Sequence, residues 1–275
     1  MQLWATEFQI PGMSLSLKVR QSLHLKKSEF QQVAVVDTYA LGRVLLLDGI
    51  IQTTDKDEFV YHEMITQVAL NGHPNPENVL IIGGGDGGAL REVVGHPSVK
   101  KGVMVEIDEE VVKASKEFFP QLSCSFAHEK GELIIEDGIK YVKGHKNIFD
   151  IIIVDSTDPI GPAVELFSAD FYSHAAACLK EDGMLVVQSE SPFFNADIIR
   201  KVYDGISQSF ALTKLYLAAV PTYPGGLWSF TIGSKKHDPE MINNPQAKAD
   251  LFKYYTPYVH RAAFKLPPFV QEIIL

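Results

Sequence analysis

The sequence has few cysteines and no long apolar segment. Its two cysteines among 275 residues, Cys124 and Cys178, are too few for a disulfide framework and lack the spacing of a metal site. No apolar run approaches the roughly 18 residues that a membrane-spanning helix needs. The first residues, MQLWATEFQIPG, include Glu7 and lack the basic start and apolar core of a signal peptide. These absences predict a soluble protein of a reducing cytoplasm, without a cysteine metal site and without a membrane partner.

The sequence also lacks an excess of basic residues. It contains 25 Lys and Arg against 34 Asp and Glu, which gives a formal net charge of −9. A protein that binds nucleic acid through the phosphate backbone needs a basic face, so this balance argues against a nucleic-acid partner. Many proteins are acidic only because net charge keeps them soluble, and the acidity is also compatible with a cationic ligand. The composition is therefore compatible with a small cationic substrate.

Two hydrophobic patterns divide the chain near residue 56. Between about residues 14 and 54, alternating stretches such as LSLKVRQSLHL are interrupted by Gly42 and by Asp48-Gly49, which predicts antiparallel hairpins. After a predicted helix at EFVYHEMITQVAL, continuously apolar strands alternate with amphipathic helices, which predicts a parallel sheet covered on both faces. We therefore predict an α/β protein with an N-terminal β-hairpin domain (residues 1–56) and a Rossmann-like catalytic domain (residues 57–275).

The second region has a regular order of strands and helices. The predicted strands are 78–84, 101–108, 131–137, 149–155 and 183–190, and the predicted helices between and after them are 88–95, 109–118, 138–143, 168–180 and 195–208. The stretches LTKLYLAAVPT and LWSFTIGSKK then predict an antiparallel hairpin that closes the sheet. The aromatic-rich tail is expected to pack on the rest of the protein.

Acidic residues follow several of the predicted strands. The glycine-rich segment VLIIGGGDGGALREV joins a strand to a helix, and later strands lead to Glu106, Asp137 and Asp155. One acid at a strand end is usually a turn or capping residue, but several at the same edge of a parallel sheet predict a ligand site. Asp86 lies inside the glycine loop and would repel a phosphate. A sulfonium nucleoside therefore fits this loop better than a pyrophosphate dinucleotide.

Six stretches of the sequence resemble the spermidine synthase family, the polyamine aminopropyltransferases. In order between about residues 30 and 236, they are LLLDGIIQTTDKDEFVYHEM, VLIIGGGDGGALRE, VEIDEEVV, DIIIVDSTDPIGPA, LF with FY after it, and PTYPGGLWSFTIGSK. The resemblance implies a methyltransferase-type Rossmann-like domain with a small N-terminal antiparallel β domain, assembled as a homodimer or homotetramer. It implies transfer of the aminopropyl group of decarboxylated S-adenosylmethionine to putrescine, giving spermidine and 5′-methylthioadenosine, with neither a metal nor another cofactor.

The resemblance also implies roles for individual residues. On the side of the nucleoside donor it implies contacts from Gln31, Asp86, Glu106, Asp137, Gly138 and Pro162. On the side of the amine it implies contacts from Tyr61, His62, Asp86, Asp155 and Asp158. In this scheme Glu106 binds the ribose hydroxyls, Asp86 binds the ammonium of the aminopropyl group, and Asp155 is the proton acceptor.

A diamine substrate explains why the apolar strand FDIIIVD leads to Asp155 and, three residues later, Asp158. A dication that leaves water needs carboxylates to pair with its ammonium groups. Asp158 has an alternative role as a turn or cap residue beside Pro159. Glu190 either binds the distal ammonium or caps the helix that begins near Asn195. The loop STDPIGPAVELF is predicted to close over the site.

Other functions stay open at this stage. Agmatine, cadaverine or spermidine could replace putrescine, because channel depth measures chain length. A small-molecule methyltransferase that uses S-adenosylmethionine is the rival enzyme, but Asp86 would face the carboxylate of that cofactor. A catalytically inactive nucleoside-binding protein is the rival from another class, and retention of Tyr61, Asp155 and Asp158 together argues against it.

Overall fold

The computed structural model describes residues 2–158, 161–244 and 252–275, and of residues 161 and 162 it describes the backbone alone. Within these ranges no helix combines the length and the apolarity that a membrane span requires.

The N-terminal part is a five-stranded antiparallel sheet with its strands in chain order. The strands are β1 (Leu3–Ile10), β2 (Met13–Lys27), β3 (Gln32–Thr38), β4 (Gly42–Leu47) and β5 (Ile50–Thr54). Asp48 and Gly49 connect β4 to β5 with φ angles of 49° and 85°, the left-handed conformation that a tight hairpin turn needs. The predicted hairpins are thus present, but the prediction began near residue 14 and missed β1.

The second sheet has seven strands in the order β11-β12-β10-β9-β6-β7-β8. Its strands are β6 (Asn78–Gly83), β7 (Lys101–Glu106), β8 (Gly131–Ile135), β9 (Phe149–Asp155), β10 (Leu179–Gln188), β11 (Leu212–Ala219) and β12 (Leu227–Ser234). Strands β6 to β10 pair in parallel, whereas β12 pairs antiparallel with both β10 and β11. The chain leaves β6 toward β7 on one side and returns as β9 on the other, so the sheet has a topological switch point at β6.

Helices cover both faces of this sheet. They are α1 (Glu58–Gly72), α2 (Gly88–Gly95), α3 (Glu109–Phe118), α4 (Pro120–Ser123), α5 (Gly138–Lys143), α6 (Ala169–Cys178), α7 (Ala196–Ser207), α8 (Pro257–Ala263) and α9 (Pro268–Ile274), with 3-10 turns at Cys124–Ala127, Gly161–Phe167 and Pro224–Gly226. Ile81 and Ile153 belong to the core under α1 and α2, and Leu80 and Ile152 to the core under α6. Burial on both faces explains why these strands are continuously apolar.

The two sheets meet through α3 and α4. Val33 and Leu45 of the N-terminal sheet share a buried cluster with Val111 of α3 and Leu122 of α4. On the other side, Thr222 donates two hydrogen bonds to Asp57, through its backbone nitrogen at 3.2 Å and its hydroxyl at 2.7 Å. The N-terminal sheet is therefore held against the edge of the second sheet where the parallel strands end.

Several boundaries differ from the prediction for local reasons. Strand β7 ends at Glu106 rather than at residue 108, because the Asp108 side chain caps α3 by accepting from the backbone nitrogen of Glu110. Strand β10 starts at Leu179 rather than at residue 183, and it ends at Gln188, two residues before Glu190, whose φ is 75°. A residue in this left-handed region cannot continue a strand.

Candidate active site

A cavity of about 230 Å³ lies outside the carboxyl ends of β6, β7 and β9 and is closed on its far side by the N-terminal sheet. All predicted site residues whose side chains the structure describes line this one cavity: Gln31, Tyr61, His62, Asp86, Glu106, Asp137, Gly138, Asp155 and Asp158. Pro162 precedes Ala163, which also lines it, but the Pro162 side chain lies outside the described residues. The loop predicted to close over the site, residues 156–167, is described only in part, at residues 156–158 and in the 3-10 turn Gly161–Phe167.

The glycine loop brings the backbone close to two of the carboxylates. Gly84 has a φ of 70° and donates a 2.8 Å hydrogen bond from its nitrogen to the backbone oxygen of Asp155. A Cβ on Gly84 would lie 2.9 Å from Asp155 Oδ2, and a Cβ on Gly85 would lie 2.8 Å from Glu106 Oε2. Side chains here would displace the carboxylates, so the loop requires glycine for close approach as well as for its conformation.

The acids at one end of the cavity are set by helix caps. Glu106 is buried and accepts a 2.9 Å hydrogen bond from the backbone nitrogen of Asp108. Asp108 Oδ2 also accepts from Gln31 Nε2 at 3.0 Å, which fixes an N-terminal residue against the second sheet. Asp137 caps α5 through the backbone nitrogen of Ile139. Burial raises the pKa of Glu106 to about 7, because water is kept away from the charged carboxylate. Hydrogen bonds from hydroxyl donors would stabilise that charged form.

A second group of polar side chains surrounds Asp155. Tyr61 Oη donates a 2.7 Å hydrogen bond to Asp155 Oδ1. Burial and the neighbouring Asp86 carboxylate raise the pKa of Asp155 to about 6, although the charge of His62 and the Tyr61 hydrogen bond act in the opposite direction. The His62 ring lies with Nδ1 2.6 Å from Glu58 Oε2 and Nε2 3.3 Å from Asp86 Oδ2. Asp155 is therefore a stronger base than an exposed aspartate.

A small side cavity of about 30 Å³ extends the site beyond Asp158. Glu7 of β1 and Trp228 of β12 line it together with Asp158. Burial raises the pKa of Glu7 to about 7. Glu190 lies beside Asp158, and burial together with the charge of Asp158 raises the pKa of Glu190 to about 9. Trp228 Nε1 and Glu190 Oε1 are buried and have no hydrogen-bond partner among the described residues. The pocket thus offers carboxyl groups and an unused donor to a small polar ligand.

The sequence reasoning missed part of this side cavity. Glu7 lies on β1, which was not predicted, and it is the one buried residue of that strand. Glu190 does not cap α7, because Asn195 occupies the cap position, so its alternative role as a helix cap was wrong. Glu7 could have been identified from the sequence as an acid at an inward-facing position of an alternating strand.

One cluster elsewhere has the composition of a metal site. In the described part of the chain, ligand atoms of His73, Asp150 and Asp182 lie within 4.8 Å of one another. His73 Nδ1 accepts a 3.2 Å hydrogen bond from the backbone nitrogen of Asn75, so Nε2 carries the proton and faces Asp182 at 3.7 Å. Lys180 pairs with Asp150 at 2.8 Å. The N–H of His73 and the ammonium of Lys180 already face the two carboxylates, so the cluster fits an ion-pair network better than a metal site.

Comparison with known proteins extends over both sheets. Residues 58–244 match the spermine/spermidine synthase domain, and residues 3–55 match the spermidine synthase tetramerisation domain. A polyamine aminopropyltransferase from Desulforudis audaxviator is 54% identical over 272 residues, which cover 99% of each chain. One from Clostridium tetani is 54% identical over 275 residues, covering 100% of this chain and 98% of the relative.

Solved structures agree with this comparison. A spermidine synthase in complex with the transition-state analogue AdoDATO superposes with a TM-score of 0.95 at 41% identity, covering 99% of this chain and 94% of the other. The spermidine synthase of Thermotoga maritima gives a TM-score of 0.92 at 40% identity with the same coverage. Since sequence and fold match along almost the whole length, the chain belongs to the spermine/spermidine synthase family of polyamine aminopropyltransferases.

Proposed function

We propose that this enzyme transfers the aminopropyl group of decarboxylated S-adenosylmethionine to putrescine, giving spermidine and 5′-methylthioadenosine. The observation that carries the proposal is the presence of carboxyl groups in two adjoining cavities whose linings share Tyr61 and Asp158. Asp86 and Asp155 lie in the main cavity, while Asp158 and Glu7 line the side cavity next to it. A linear dication has one ammonium for each cavity, and buried carboxylates are tolerated where such a ligand pairs with them.

The donor occupies the end of the main cavity near the N-terminal sheet in this proposal. Glu106 accepts hydrogen bonds from the two ribose hydroxyls, while Asp137 and Gly138 contact the adenine. The apolar side chains of Leu45, Leu47 and Val105 line the same cavity and supply dry surface for the base. Asp86 binds the ammonium of the aminopropyl group, which turns the methylene next to sulfur toward Asp155.

The transfer is a displacement at carbon. The reacting ammonium of putrescine first loses a proton to Asp155, because a protonated nitrogen has no lone pair. The nitrogen lone pair then forms the N–C bond while the C–S bond breaks, and the bonding electrons return to sulfur. The thioether that leaves is neutral and needs no acid, so the main tasks of the enzyme are alignment and deprotonation.

The side cavity favours putrescine over other amines. A space of about 30 Å³ suits an ammonium group, whereas agmatine would bring a larger planar guanidinium into it. Cadaverine carries one more methylene, and a mismatch of one methylene typically costs about 1–3 kcal/mol in transition-state binding. The rival methyltransferase reaction would place the carboxylate of S-adenosylmethionine near Asp86 and is disfavoured by charge.

Product analysis with decarboxylated S-adenosylmethionine and a panel of amines tests this proposal. We expect the highest kcat/KM with putrescine, and values lower by roughly tenfold or more with cadaverine and agmatine. An equal or better rate with either of these amines would show that the acceptor is assigned wrongly. Failure to release 5′-methylthioadenosine with any amine would overturn the reaction itself.

We also propose that the enzyme is a homo-oligomer assembled through its N-terminal sheet. The support is the match of residues 3–55 to a tetramerisation domain and the exposure of large apolar side chains on that sheet, with Trp4 50%, Phe8 83% and Leu25 64% exposed. Monomers rarely leave such side chains uncovered together. Light scattering of the wild type and of Phe8→Asp tests it. A monomeric wild type at micromolar concentration contradicts the proposal.

A further inference from the structure

His62 is buried between two carboxylates. Its side chain is 3% exposed, and its two ring nitrogens face Glu58 and Asp86 at 2.6 Å and 3.3 Å. An ionised carboxylate can only accept hydrogen bonds, and neutral imidazole has a single N–H to donate. Interaction with both acids therefore requires a proton on each nitrogen, so the geometry is that of an imidazolium.

Glu58 is in turn bound by Arg91 of α2. Arg91 Nη1 and Nη2 lie 3.1 and 3.0 Å from the two oxygens of Glu58, which makes a bidentate ion pair. Burial alone would raise the pKa of Glu58, but His62 and Arg91 outweigh burial and lower it to about 2. The charge of Glu58 is thus present throughout the working pH range, on the side of His62 away from the substrate cavity.

The ring is also held by the packing of α2. A Cβ on Gly88, the first residue of that helix, would lie 2.4 Å from both ring nitrogens of His62. The Gly88 nitrogen donates a 2.7 Å hydrogen bond to Asp86 Oδ1. Gly88 therefore both hydrogen-bonds Asp86 and leaves the space that the imidazole of His62 occupies.

We propose that Glu58 and Arg91 are positioning residues that hold His62 as a permanent imidazolium, and that this charge favours the ionised form of Asp155, which deprotonates the amine. The proposal rests on the proposed role of Asp155 as proton acceptor. Neither Glu58 nor Arg91 lines the cavity, and both act through His62 rather than on the substrate.

The charged groups around His62 come from all the elements packed against it. They are Glu58 of α1, Asp86 of the glycine loop, Arg91 and Glu92 of α2, and Asp155 of β9, with the neutral Tyr61 ring edge-on at 5.6 Å. Burial and Asp86 raise the pKa of Asp155, whereas the His62 charge lowers it. Loss of the imidazolium charge should therefore raise the pKa of Asp155 further, by roughly one unit or more.

Glu58→Gln and its matched control Glu92→Gln test the proposal. Glu92 binds the same Arg91, with Oε1 3.0 Å from Nε, but it makes no hydrogen bond to His62. In Glu58→Gln we expect the acid limb of the kcat/KM profile for the amine to move upward by roughly one pH unit. In Glu92→Gln the limb should stay in place. The amine's own ionisation is common to both variants and cancels in the comparison.

Two further measurements show whether the effect passes through His62. In a His62→Gln background, Glu58→Gln should add no further shift of the acid limb. Nitrogen NMR of 15N-histidine-labelled protein should show both His62 nitrogens still protonated at a pH where a free imidazole is neutral, in the wild type and in Glu92→Gln, but a neutral ring in Glu58→Gln. If Glu58→Gln does not fold, Arg91→Met should give a smaller shift in the same direction and Arg91→Lys should restore most of it.

The proposal is overturned by a neutral His62 in the wild type, by equal acid limbs in Glu58→Gln and Glu92→Gln, or by a fall in kcat without a shift of the limb. The NMR measurement reads the charge of His62 without any turnover. It therefore separates failure of this network from failure of Asp155 as the base, which the activity of Asp155→Asn reports.

Discussion

Tyr61 Oη lies 2.7 Å from Asp155 Oδ1, a contact that joins helix α1 to the end of the central strand β9. The phenol donates to the carboxylate and stabilises its charged form, while burial and Asp86 favour the neutral form. The resulting pKa of about 6 for Asp155 means that the group is mainly ionised at neutral pH. It can accept a proton there and holds it more firmly than an exposed aspartate would.

Asp155→Asn should lower kcat by about two to four orders of magnitude, since the proton acceptor is lost while the shape of the site is kept. Affinity for 5′-methylthioadenosine, measured by calorimetry, should change little. Asparagine can still accept the Tyr61 hydrogen bond, so a large loss of thermal stability is not expected. Near-normal turnover would remove Asp155 from the mechanism.

Glu106→Gln should weaken binding of 5′-methylthioadenosine by about ten- to a hundredfold, because an amide accepts hydroxyl hydrogen bonds less well than a carboxylate. Burial raises the pKa of Glu106 to about 7, and the ionised form is the better acceptor. Wild-type affinity should therefore fall as pH decreases through 7, whereas affinity in Glu106→Gln should be flat. The exposed neighbour Glu136 provides the control, and Glu136→Gln should behave as the wild type.

Glu106 could be assigned to the site from the sequence alone, because the topology of the sheet determines where it lies. Strands β6 and β9 are apolar on both faces, so their pattern identifies a parallel sheet, and in such a sheet the residues after each strand meet at one edge. Glu106 and Asp155 are the last residues of β7 and β9, and Asp137 lies two residues after β8. Their convergence needed no knowledge of side-chain packing.

Other parts of the site depend on packing that no local pattern contains. Glu7 reaches the side cavity only because the first sheet lies against the second. The direction of the Glu190 side chain depends on the left-handed backbone of Glu190 itself, which follows β10. The Glu58–Arg91 pair joins α1 to α2. Helix α1 is buried almost all round, so its hydrophobic pattern does not reveal which polar residues have partners.

Glu190→Gln should raise the KM for putrescine and leave kcat within a few-fold, because contact with the distal ammonium is the role that the sequence leaves for Glu190 once Asn195 occupies the cap position of α7. Burial and Asp158 raise the pKa of Glu190 to about 9, so the group is protonated below that pH and ionised above it. The ammonium favours the ionised form, and the wild-type KM should therefore fall between pH 7 and 9. This slope should flatten in Glu190→Gln and persist in the control Ser191→Ala. An unchanged slope in Glu190→Gln would place the distal ammonium elsewhere.

The donor should have to be decarboxylated, and the reason is the charge of Asp86. Asp86 is 9% exposed, and its backbone lies in the glycine loop that lines the cavity. The ammonium of the aminopropyl group is attracted there, but the additional carboxylate of S-adenosylmethionine would face a second anion. Repulsion between two such charges at about 4 to 5 Å is roughly 3 to 4 kcal/mol at an effective dielectric near 20.

That repulsion corresponds to a few hundredfold in affinity, and it is an upper value because the His62 ring lies 3.3 Å from Asp86 and offsets part of its charge. Competition binding of S-adenosylmethionine against its decarboxylated form should show this preference in the wild type. The preference should shrink in Asp86→Asn, mainly because the decarboxylated form binds less tightly there. Comparable affinities in the wild type contradict the prediction, and so does a preference that Asp86→Asn leaves unchanged, since discrimination would then come from another part of the site.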